Sequence, residues 1–315
     1  MNEHLGHDHR DGGVLDPERF EIDAATPRGF HQEYVHEGIG GVPLVCVHGW
    51  PETKRIWWRV VEPLAAAGFE VIAPDLRGFG DSDLGPDGFH DVPAHAADLY
   101  ALAHDHLGHE RVVLAGGDLG GPVIQELSLR HPEWVDRMVL FNSPLPHLKG
   151  RMDDLETRPP DAVLDYFVRQ GTDPDGLAAE LDSAAARRAY IAEFYGERHW
   201  AHPGAFTDEE VAFMVEPFTR ATHLRASFGA YEATFSPAAR SDDSMFRGRR
   251  NPTRTLVLFG TSDHVIHPDF DRMAERVFPD HVGPLRLEHC GHFVPWEAPE
   301  VFVRETVAFC ADLLA

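Results

Sequence analysis

The chain has 315 residues, of which 43% are hydrophobic, and a formal net charge of −24. This size and hydrophobic content allow one domain with a large buried core. The negative charge argues against partners that are recognised through phosphate backbones or anionic membrane surfaces. The three cysteines, Cys46, Cys290 and Cys310, lie in apolar contexts at spacings that fit neither a disulfide framework nor a zinc site, so we expect free thiols in a reducing compartment.

The N-terminal segment has neither the basic region nor the apolar region of a signal peptide, and no apolar run approaches the roughly 20 residues of a membrane span. A cytoplasmic location is therefore expected. His4, His7 and His9 form a short histidine-rich tail. Such a tail is typical of a solvated terminus and offers at most an adventitious metal site.

Apolar runs alternate with amphipathic segments along the first half of the chain. Predicted strands cover residues 19–22, 29–35, 43–47, 69–73, 111–115 and 136–142, and predicted helices cover 53–67, 92–107 and 122–130. The strands 43–47 and 111–115 are apolar throughout, which is typical of strands buried on both faces of a parallel sheet. The alternation predicts an α/β protein with a doubly wound, mostly parallel sheet.

A glycine-rich segment, Gly116-Gly117-Asp118-Leu119-Gly120-Gly121, joins strand 111–115 to helix 122–130. A strand that turns sharply into a helix leaves no room for Cβ atoms beside the turn, so small residues are required there. The reactive side chain at this turn is Asp118. Taken alone, it fits a helix-capping aspartate about as well as a nucleophile.

The alternation stops after residue 142 and resumes with the predicted strand 254–259. Residues 144–248, which we call the cap, show only helical patterns and loops rich in aromatic residues. Predicted elements after the cap are strand 254–259, helix 270–277, strand 284–288 and helix 300–314. We therefore predict a core made of residues 1–143 and 249–315, with the cap inserted between two of its strands.

Four short motifs stand near the ends of predicted strands. They are His48-Gly49-Trp50-Pro51, Gly116-x-Asp118-x-Gly120, Gly260-Thr261-Ser262-Asp263, and Gly291-His292-Phe293 followed by Glu297 and Pro299. Each motif is weak evidence alone, but the ordered set resembles the α/β-hydrolase fold family, in the branch of epoxide hydrolases and dehalogenases that has an aspartate nucleophile. The resemblance covers nearly the whole chain. It implies a mostly parallel eight-stranded sheet with helices on both faces and an inserted helical cap.

The resemblance also implies a catalytic triad of Asp118, His292 and Asp263. A carboxylate nucleophile forms an alkyl ester with its substrate, and an imidazole must then activate water against that ester. Asp118 is the implied nucleophile, His292 the implied base, and Asp263 the acid that orients the imidazole. Asn142 ends the strand where some relatives carry this acid, but its neutral amide supplies no anion.

The implied oxyanion donors are the backbone N–H groups of Trp50 and Leu119. Pro51 allows a cis bond after Trp50, which would aim the Trp50 amide inward. The sequence departs from many members of the branch, which have histidine before and tryptophan after the nucleophile, where this chain has Gly117 and Leu119. The departure implies a less aromatic pocket floor.

Residues of the cap help to decide whether the predicted reaction is epoxide opening or carbon–halogen cleavage. Opening an epoxide generates an alkoxide, so a protonated donor must lie beside the oxygen, and tyrosine with its ordinary pKa of ~10 meets this need. Epoxide hydrolases typically use two cap tyrosines, and Tyr166 and Tyr231 lie in segments that resemble theirs. We therefore expect an epoxide hydrolase that acts with water on a small apolar epoxide and needs no metal or organic cofactor.

Two alternatives remain open at this point. A haloalkane dehalogenase would use the same triad, and the indole N–H of Trp50 would suit a halide, although Leu119 stands where those enzymes commonly carry tryptophan. A non-catalytic ligand-binding member of the family would usually lack one triad residue, whereas all three are present here. We expect no nucleic-acid or membrane partner, and a homodimer is compatible with the sequence.

Overall fold

The computed structural model describes residues 13–315, so the histidine tail lies outside the described residues. The described strands form one eight-stranded sheet in the order β1-β2-β4-β3-β5-β6-β7-β8. Their bounds are β1 (Ile22–Ala25), β2 (Gln32–Glu37), β3 (Val42–Val47), β4 (Phe69–Pro74), β5 (Val112–Gly117), β6 (Val135–Phe141), β7 (Thr255–Gly260) and β8 (His281–Leu287). β1 and β2 pair antiparallel with their neighbours, and β3 to β8 pair parallel.

Three of the inner strands are buried along their whole length, because helices cover the sheet and leave neither side of these strands to solvent. Every residue of β4, β5 and β7 is buried. Val45 of β3 pairs with Leu114 of β5, so the strands that precede Trp50 and Asp118 run side by side. Since parallel strands end at the same edge of a sheet, this register brings the first two motifs together.

The α-helices within residues 13–315 alternate with these strands. Their bounds are α1 (Val61–Ala66), α2 (Val92–Tyr100), α3 (Gly120–Arg130), α4 (Asp165–Thr172), α5 (Pro174–Glu180), α6 (Ala184–Tyr195), α7 (Asp208–Val215), α8 (Ala221–Ser227), α9 (Gly229–Phe235), α10 (Phe270–Val277), α11 (Val294–Glu297) and α12 (Pro299–Phe309). Helices α4 to α9 lie between β6 and β7, which confirms a helical insertion between two strands. None of the described helices is long and apolar enough to cross a membrane.

The prediction of one continuous helix over residues 53–67 is wrong. The structure has a 3₁₀ turn over Lys54–Trp57, and α1 begins only at Val61. Ile56, Trp57 and Trp58 are consecutive and all buried. A straight amphipathic helix buries one stripe of side chains rather than three neighbours in a row, so the chain turns here instead.

The prediction of free thiols is confirmed, because Cys46, Cys290 and Cys310 form no disulfide and are buried. Strand β8 begins at His281 rather than at the predicted residue 284. Pro284 therefore lies inside the strand, which an edge strand tolerates because its outer N–H groups have no neighbour to bond.

Candidate active site

Asp118 stands at a strained turn between β5 and α3. Its φ of 42° lies in the left-handed region that residues with a Cβ atom seldom adopt. A Cβ atom on Gly120 would lie 2.2 Å from the carbonyl oxygen of Val47, and one on Gly49 would lie 2.4 Å from the Asp118 Cβ. The glycines around Asp118 are therefore steric requirements of the turn, as the sequence predicts.

Backbone hydrogen bonds fix the orientation of this turn. The Asp118 N–H donates to the carbonyl oxygen of Asn142 at 3.0 Å, and the Ser143 hydroxyl donates to the Asp118 carbonyl at 3.2 Å. The end of β6 thus holds the Asp118 backbone from one side, which leaves the carboxylate to face the opposite side.

His292 bridges two carboxylates. Its Nδ1 lies 2.6 Å from Asp263 Oδ2, and its Nε2 lies 3.2 Å from Asp118 Oδ2. The side chains of His292 and Asp263 have no solvent-exposed area, and Asp118 is 8% exposed. The structure therefore brings together, in one buried row, the three residues that the sequence predicts as a triad.

His292 and Asp263 each stabilise the charged form of the other. Burial alone would lower the pKa of His292, but the charge of Asp263, together with hydrogen bonds to Asp118 and Asp263, raises it well above its ordinary value. Burial would raise the pKa of Asp263, but the charge and hydrogen bond of His292 hold it below the usual range. These interactions favour the charged, imidazolium form of His292.

Asn142 and the loop after β7 hold Asp263 in place. The Asn142 amide donates to Asp263 Oδ2 at 2.9 Å and to the Gly260 carbonyl at 2.9 Å. The backbone N–H groups of Val265 and Ile266 donate to Asp263 Oδ1 at 2.8 and 3.2 Å. In the sequence Asn142 stands out only because it is not an acid, whereas in the structure its amide holds the Asp263 carboxylate.

The Trp50 amide contacts the other oxygen of the central carboxylate. Its N–H donates to Asp118 Oδ1 at 2.7 Å, and the Trp50–Pro51 bond is cis, as predicted. His48 holds the same loop, because its Nε2 accepts the N–H of Leu76 at 3.0 Å. Leu119 lies directly after Asp118 as the N-cap residue of α3. The part of its N–H in an oxyanion site stays a prediction.

Tyr166 and Tyr231 both lie over the Trp50 side of the site. The Tyr166 ring stacks on the Trp50 indole with centroids 5.7 Å apart, and the Tyr231 ring meets that indole edge-on at 5.6 Å. The two tyrosine rings are 5.9 Å apart. Burial and, next, the charge of Asp118 raise the pKa of both tyrosines well above the ordinary value.

The other cap tyrosines nearby use their hydroxyls to hold the structure together. Tyr190 accepts a hydrogen bond from the Gln170 amide at 3.0 Å, and Tyr195 donates to the Pro51 carbonyl at 2.7 Å. Within the part of the chain that the structure describes, the hydroxyls of Tyr166 and Tyr231 make no hydrogen bond to another residue. These two hydroxyls are therefore available to a bound molecule.

Trp200 also belongs to the site, although nothing in the sequence singles it out among the aromatic residues of the cap. The centre of its indole lies 4.8 Å from that of the His292 ring and 5.1 Å from that of the Tyr166 ring. The backbone carbonyl oxygen of Trp200 accepts the backbone N–H of His292 at 2.8 Å. Phe194 packs edge-on against both Trp50 and Trp200. The walls between the triad and the tyrosines are therefore aromatic, which favours an apolar ligand.

Two glutamates, the buried Glu52 and the half-buried Glu297, support the loops of the site. Glu52 accepts the N–H of Gly49, and burial, followed by the negative charge of Asp118, raises its pKa to about 7. Glu297 accepts the N–H groups of Gly291 and Phe293 at 2.7 and 2.8 Å, on either side of His292. Glu297 belongs to the predicted motif, but the sequence analysis did not single out Glu52, which directly follows the His-Gly-Trp-Pro motif.

Comparison with known proteins assigns the family. Residues 42–299 match the family model described as the alpha/beta hydrolase fold, and the chain therefore belongs to this family. The soluble epoxide hydrolase of Corynebacterium sp. strain C12 is 30% identical over 295 residues, which cover 92% of this chain and 96% of that protein. An epoxide hydrolase of Caballeronia sordidicola is 27% identical over 321 residues, covering 92% and 93% of the two chains. Within its family, the chain thus resembles epoxide hydrolases.

The solved structures point the same way. The ligand-free epoxide hydrolase CorEH matches with a TM-score of 0.77 at 26% identity, covering 93% of this chain and 99% of that one. The predicted resemblance and fold class are confirmed: the chain is an α/β-hydrolase-fold protein similar to epoxide hydrolases.

Proposed function

We propose that this protein is an epoxide hydrolase that converts an apolar epoxide into a vicinal diol through an alkyl ester on Asp118. One observation carries the proposal. The buried Asp118 carboxylate, held by the Trp50 N–H on one oxygen and His292 on the other, shares its site with two tyrosines whose hydroxyls have no partner among the described residues. Nucleophile, base and proton donors thus surround one aromatic space.

In the first step, Asp118 Oδ2 attacks an oxirane carbon, because its contact with His292 Nε2 is longer, at 3.2 Å, than the 2.7 Å bond that holds Oδ1 to the Trp50 N–H. The carbon–oxygen bond breaks, its electron pair goes to the epoxide oxygen, and that oxygen takes a proton from Tyr166 or Tyr231. The raised pKa of both tyrosines keeps them protonated near neutral pH, so they remain donors.

Ester formation removes the negative charge of Asp118. One of the interactions that raise the pKa of His292 is thereby lost, and the imidazolium releases its proton more easily. That proton replaces the one that the tyrosine has given up. The neutral imidazole, still held at Nδ1 by Asp263, is then the base that the second step needs.

In the second step, His292 Nε2 takes a proton from water as the water oxygen attacks the Asp118 carbonyl carbon. The Trp50 N–H, and in this proposal the Leu119 N–H, stabilise the tetrahedral oxyanion. The intermediate then expels the diol oxygen, which takes the proton from His292. The proton left on the Asp118 carboxyl group passes to His292, which restores the carboxylate and the imidazolium. No metal or organic cofactor enters this sequence of steps.

The dehalogenase alternative requires a donor aimed at a halide. The Trp50 indole N–H donates to the Ser227 hydroxyl at 3.1 Å, and that hydroxyl donates to the Leu224 carbonyl at 2.7 Å. The indole N–H is therefore already engaged with the cap. This contact favours the epoxide reaction over halide displacement.

The test is the intact mass of His292→Gln after exposure to a panel of apolar epoxides and, separately, haloalkanes. Epoxide turnover predicts an adduct equal to the mass of the whole epoxide, on the peptide that contains Asp118. An adduct whose mass is that of the haloalkane minus the hydrogen halide, formed only with haloalkanes, would indicate a dehalogenase. The matched control is His264→Gln, which alters an exposed histidine beside Asp263 and should turn over epoxide without accumulating ester. An inactive wild type and no adduct from any substrate would favour a non-catalytic ligand-binding protein.

A further inference from the structure

A second cluster of titratable side chains lies at the edge of the sheet opposite to Asp118. Glu70 is the second residue of β4, His109 precedes β5, and His36 lies near the end of the antiparallel strand β2. One ligand atom from each lies within 4.8 Å of the other two. Three different segments therefore converge on one point.

Glu70 is the centre of this cluster. Its Oε1 lies 2.7 Å from His36 Nε2 and 3.1 Å from His109 Nε2. The Glu70 side chain is 6% exposed, and those of His36 and His109 are 9% and 16% exposed. The two imidazoles thus approach the same carboxylate oxygen in a largely buried place.

The outer atoms of two of these side chains are also held. Glu70 Oε2 accepts the Gly40 N–H at 2.8 Å, and His36 Nδ1 lies 3.4 Å from Asp23 Oδ2. Metal-bound histidines usually turn their second nitrogen toward a carboxylate, and metal-bound carboxylates are themselves hydrogen-bonded. The surroundings of the cluster therefore match those of a metal site.

His109 distinguishes this arrangement from a simple ion pair. Its Nε2 is buried and makes no hydrogen bond to the described residues, although Glu70 Oε1 is only 3.1 Å away. The contact is close but lacks hydrogen-bond alignment. A cation between the nitrogens and the carboxylate would give this nitrogen the partner that it lacks.

We propose that His36, Glu70 and His109 bind a divalent cation of the zinc class, with Asp23 orienting the His36 ring. Two imidazoles and a carboxylate are a ligand set that Zn²⁺ accepts, and a water molecule completes the tetrahedron. Bonds of ~2.0–2.1 Å place neighbouring ligand atoms ~3.3 Å apart. The short His36–Glu70 contact therefore opens slightly on binding. Such an ion would tie β2, β4 and the start of β5 together, away from the reaction.

The test is a zinc titration in competition with a chromophoric chelator. Because His4, His7 and His9 offer a second place for the metal, every protein carries glutamine at those three positions. We expect one equivalent of zinc, bound at least tenfold more weakly by Glu70→Gln and by His109→Gln. Removing a carboxylate that is hydrogen-bonded to a metal ligand typically lowers the metal affinity roughly 10- to 100-fold, so Asp23→Asn should weaken zinc binding by a similar factor.

The control is His104→Gln, which removes a partly exposed histidine that contacts Asp105 outside the cluster, and it should bind zinc as tightly as the parent. Circular dichroism checks that each variant is folded, and X-ray absorption of the parent should show two imidazoles and a carboxylate. The proposal fails if the parent binds no zinc. It also fails if Glu70→Gln and His109→Gln bind as tightly as the parent, or if the absorption spectrum shows a different ligand set.

Discussion

Replacing Asp263 with asparagine should separate the two half-reactions. The substitution keeps the size of the side chain but removes the charge that raises the pKa of His292. Its amide can also turn an N–H₂ group, rather than an acceptor oxygen, toward His292 Nδ1. A comparable change behind a catalytic imidazole lowers turnover by ~10⁴-fold. We expect ester hydrolysis to slow by about 10³- to 10⁴-fold, which corresponds to about 4–5 kcal/mol of barrier. Ester formation should fall by less than about tenfold, because attack by Asp118 needs no neutral imidazole.

The assay is single-turnover mass spectrometry with an apolar epoxide, which follows free enzyme, ester and diol in time. Asp263→Asn should accumulate nearly one equivalent of ester. Asn142 provides a rescue, because its amide nitrogen lies 2.9 Å from Asp263 Oδ2. Adding Asn142→Asp should restore hydrolysis at least tenfold, since the anion returns beside His292. If both half-reactions slow equally and no ester accumulates, the reasoning that assigns His292 and Asp263 to water activation is wrong.

Three further predictions test other parts of the site. Tyr166→Phe and Tyr231→Phe should each slow ester formation by about 10- to 100-fold and change ester hydrolysis little, as stopped-flow and mass measurements would show. A single turnover in ¹⁸O-labelled water should place the label in Asp118 rather than in the diol, whereas label in the diol alone would mean direct attack of water on the epoxide. Glu52→Gln should flatten the pH dependence of stability. The native pKa of Glu52 is about 7 against an ordinary 4.5, so the native state binds more protons than the unfolded state between these values, and stability falls as pH rises through that window. Removing the carboxyl group should therefore abolish a decrease of about 3 kcal/mol in the free energy of unfolding, which urea unfolding between pH 4.5 and 8 would measure.

The position of Asp118 was predictable because its signal is local. Glycines crowd a turn that has room for no other side chain, and the sequence displays this directly. The breakdown of helix 53–67 was not predictable from spacing, because it depends on three consecutive side chains finding separate buried places. Trp200 and Glu52 were missed for a related reason. Their proximity to His292 and Asp118 arises only when the cap and the loop after β3 fold over the sheet.

The two tyrosines illustrate the limit of motif matching within the cap. The chain offers four buried or half-buried tyrosines near Trp50, and composition alone does not rank them. The structure ranks them by what their hydroxyls do. Tyr190 and Tyr195 bond to Gln170 and Pro51, so those two phenols serve the packing of the cap. A phenol can donate a proton to a substrate only if the fold has left it without an internal partner.

The pairing of Asn142 with Asp263 shows why the acid of the proposed triad must be assigned from the ends of two strands together. Both side chains reach the same place, because Asp263 Oδ2 accepts from His292 and from the Asn142 amide at once. Two carboxylates there would repel each other and share one imidazolium, which would raise the pKa of one of them. A neutral amide at 142 avoids this repulsion and donates to the remaining anion. Asparagine at the end of β6 therefore supports the assignment of the acid to the end of β7, and exchanging the two residues should move the charge without abolishing it.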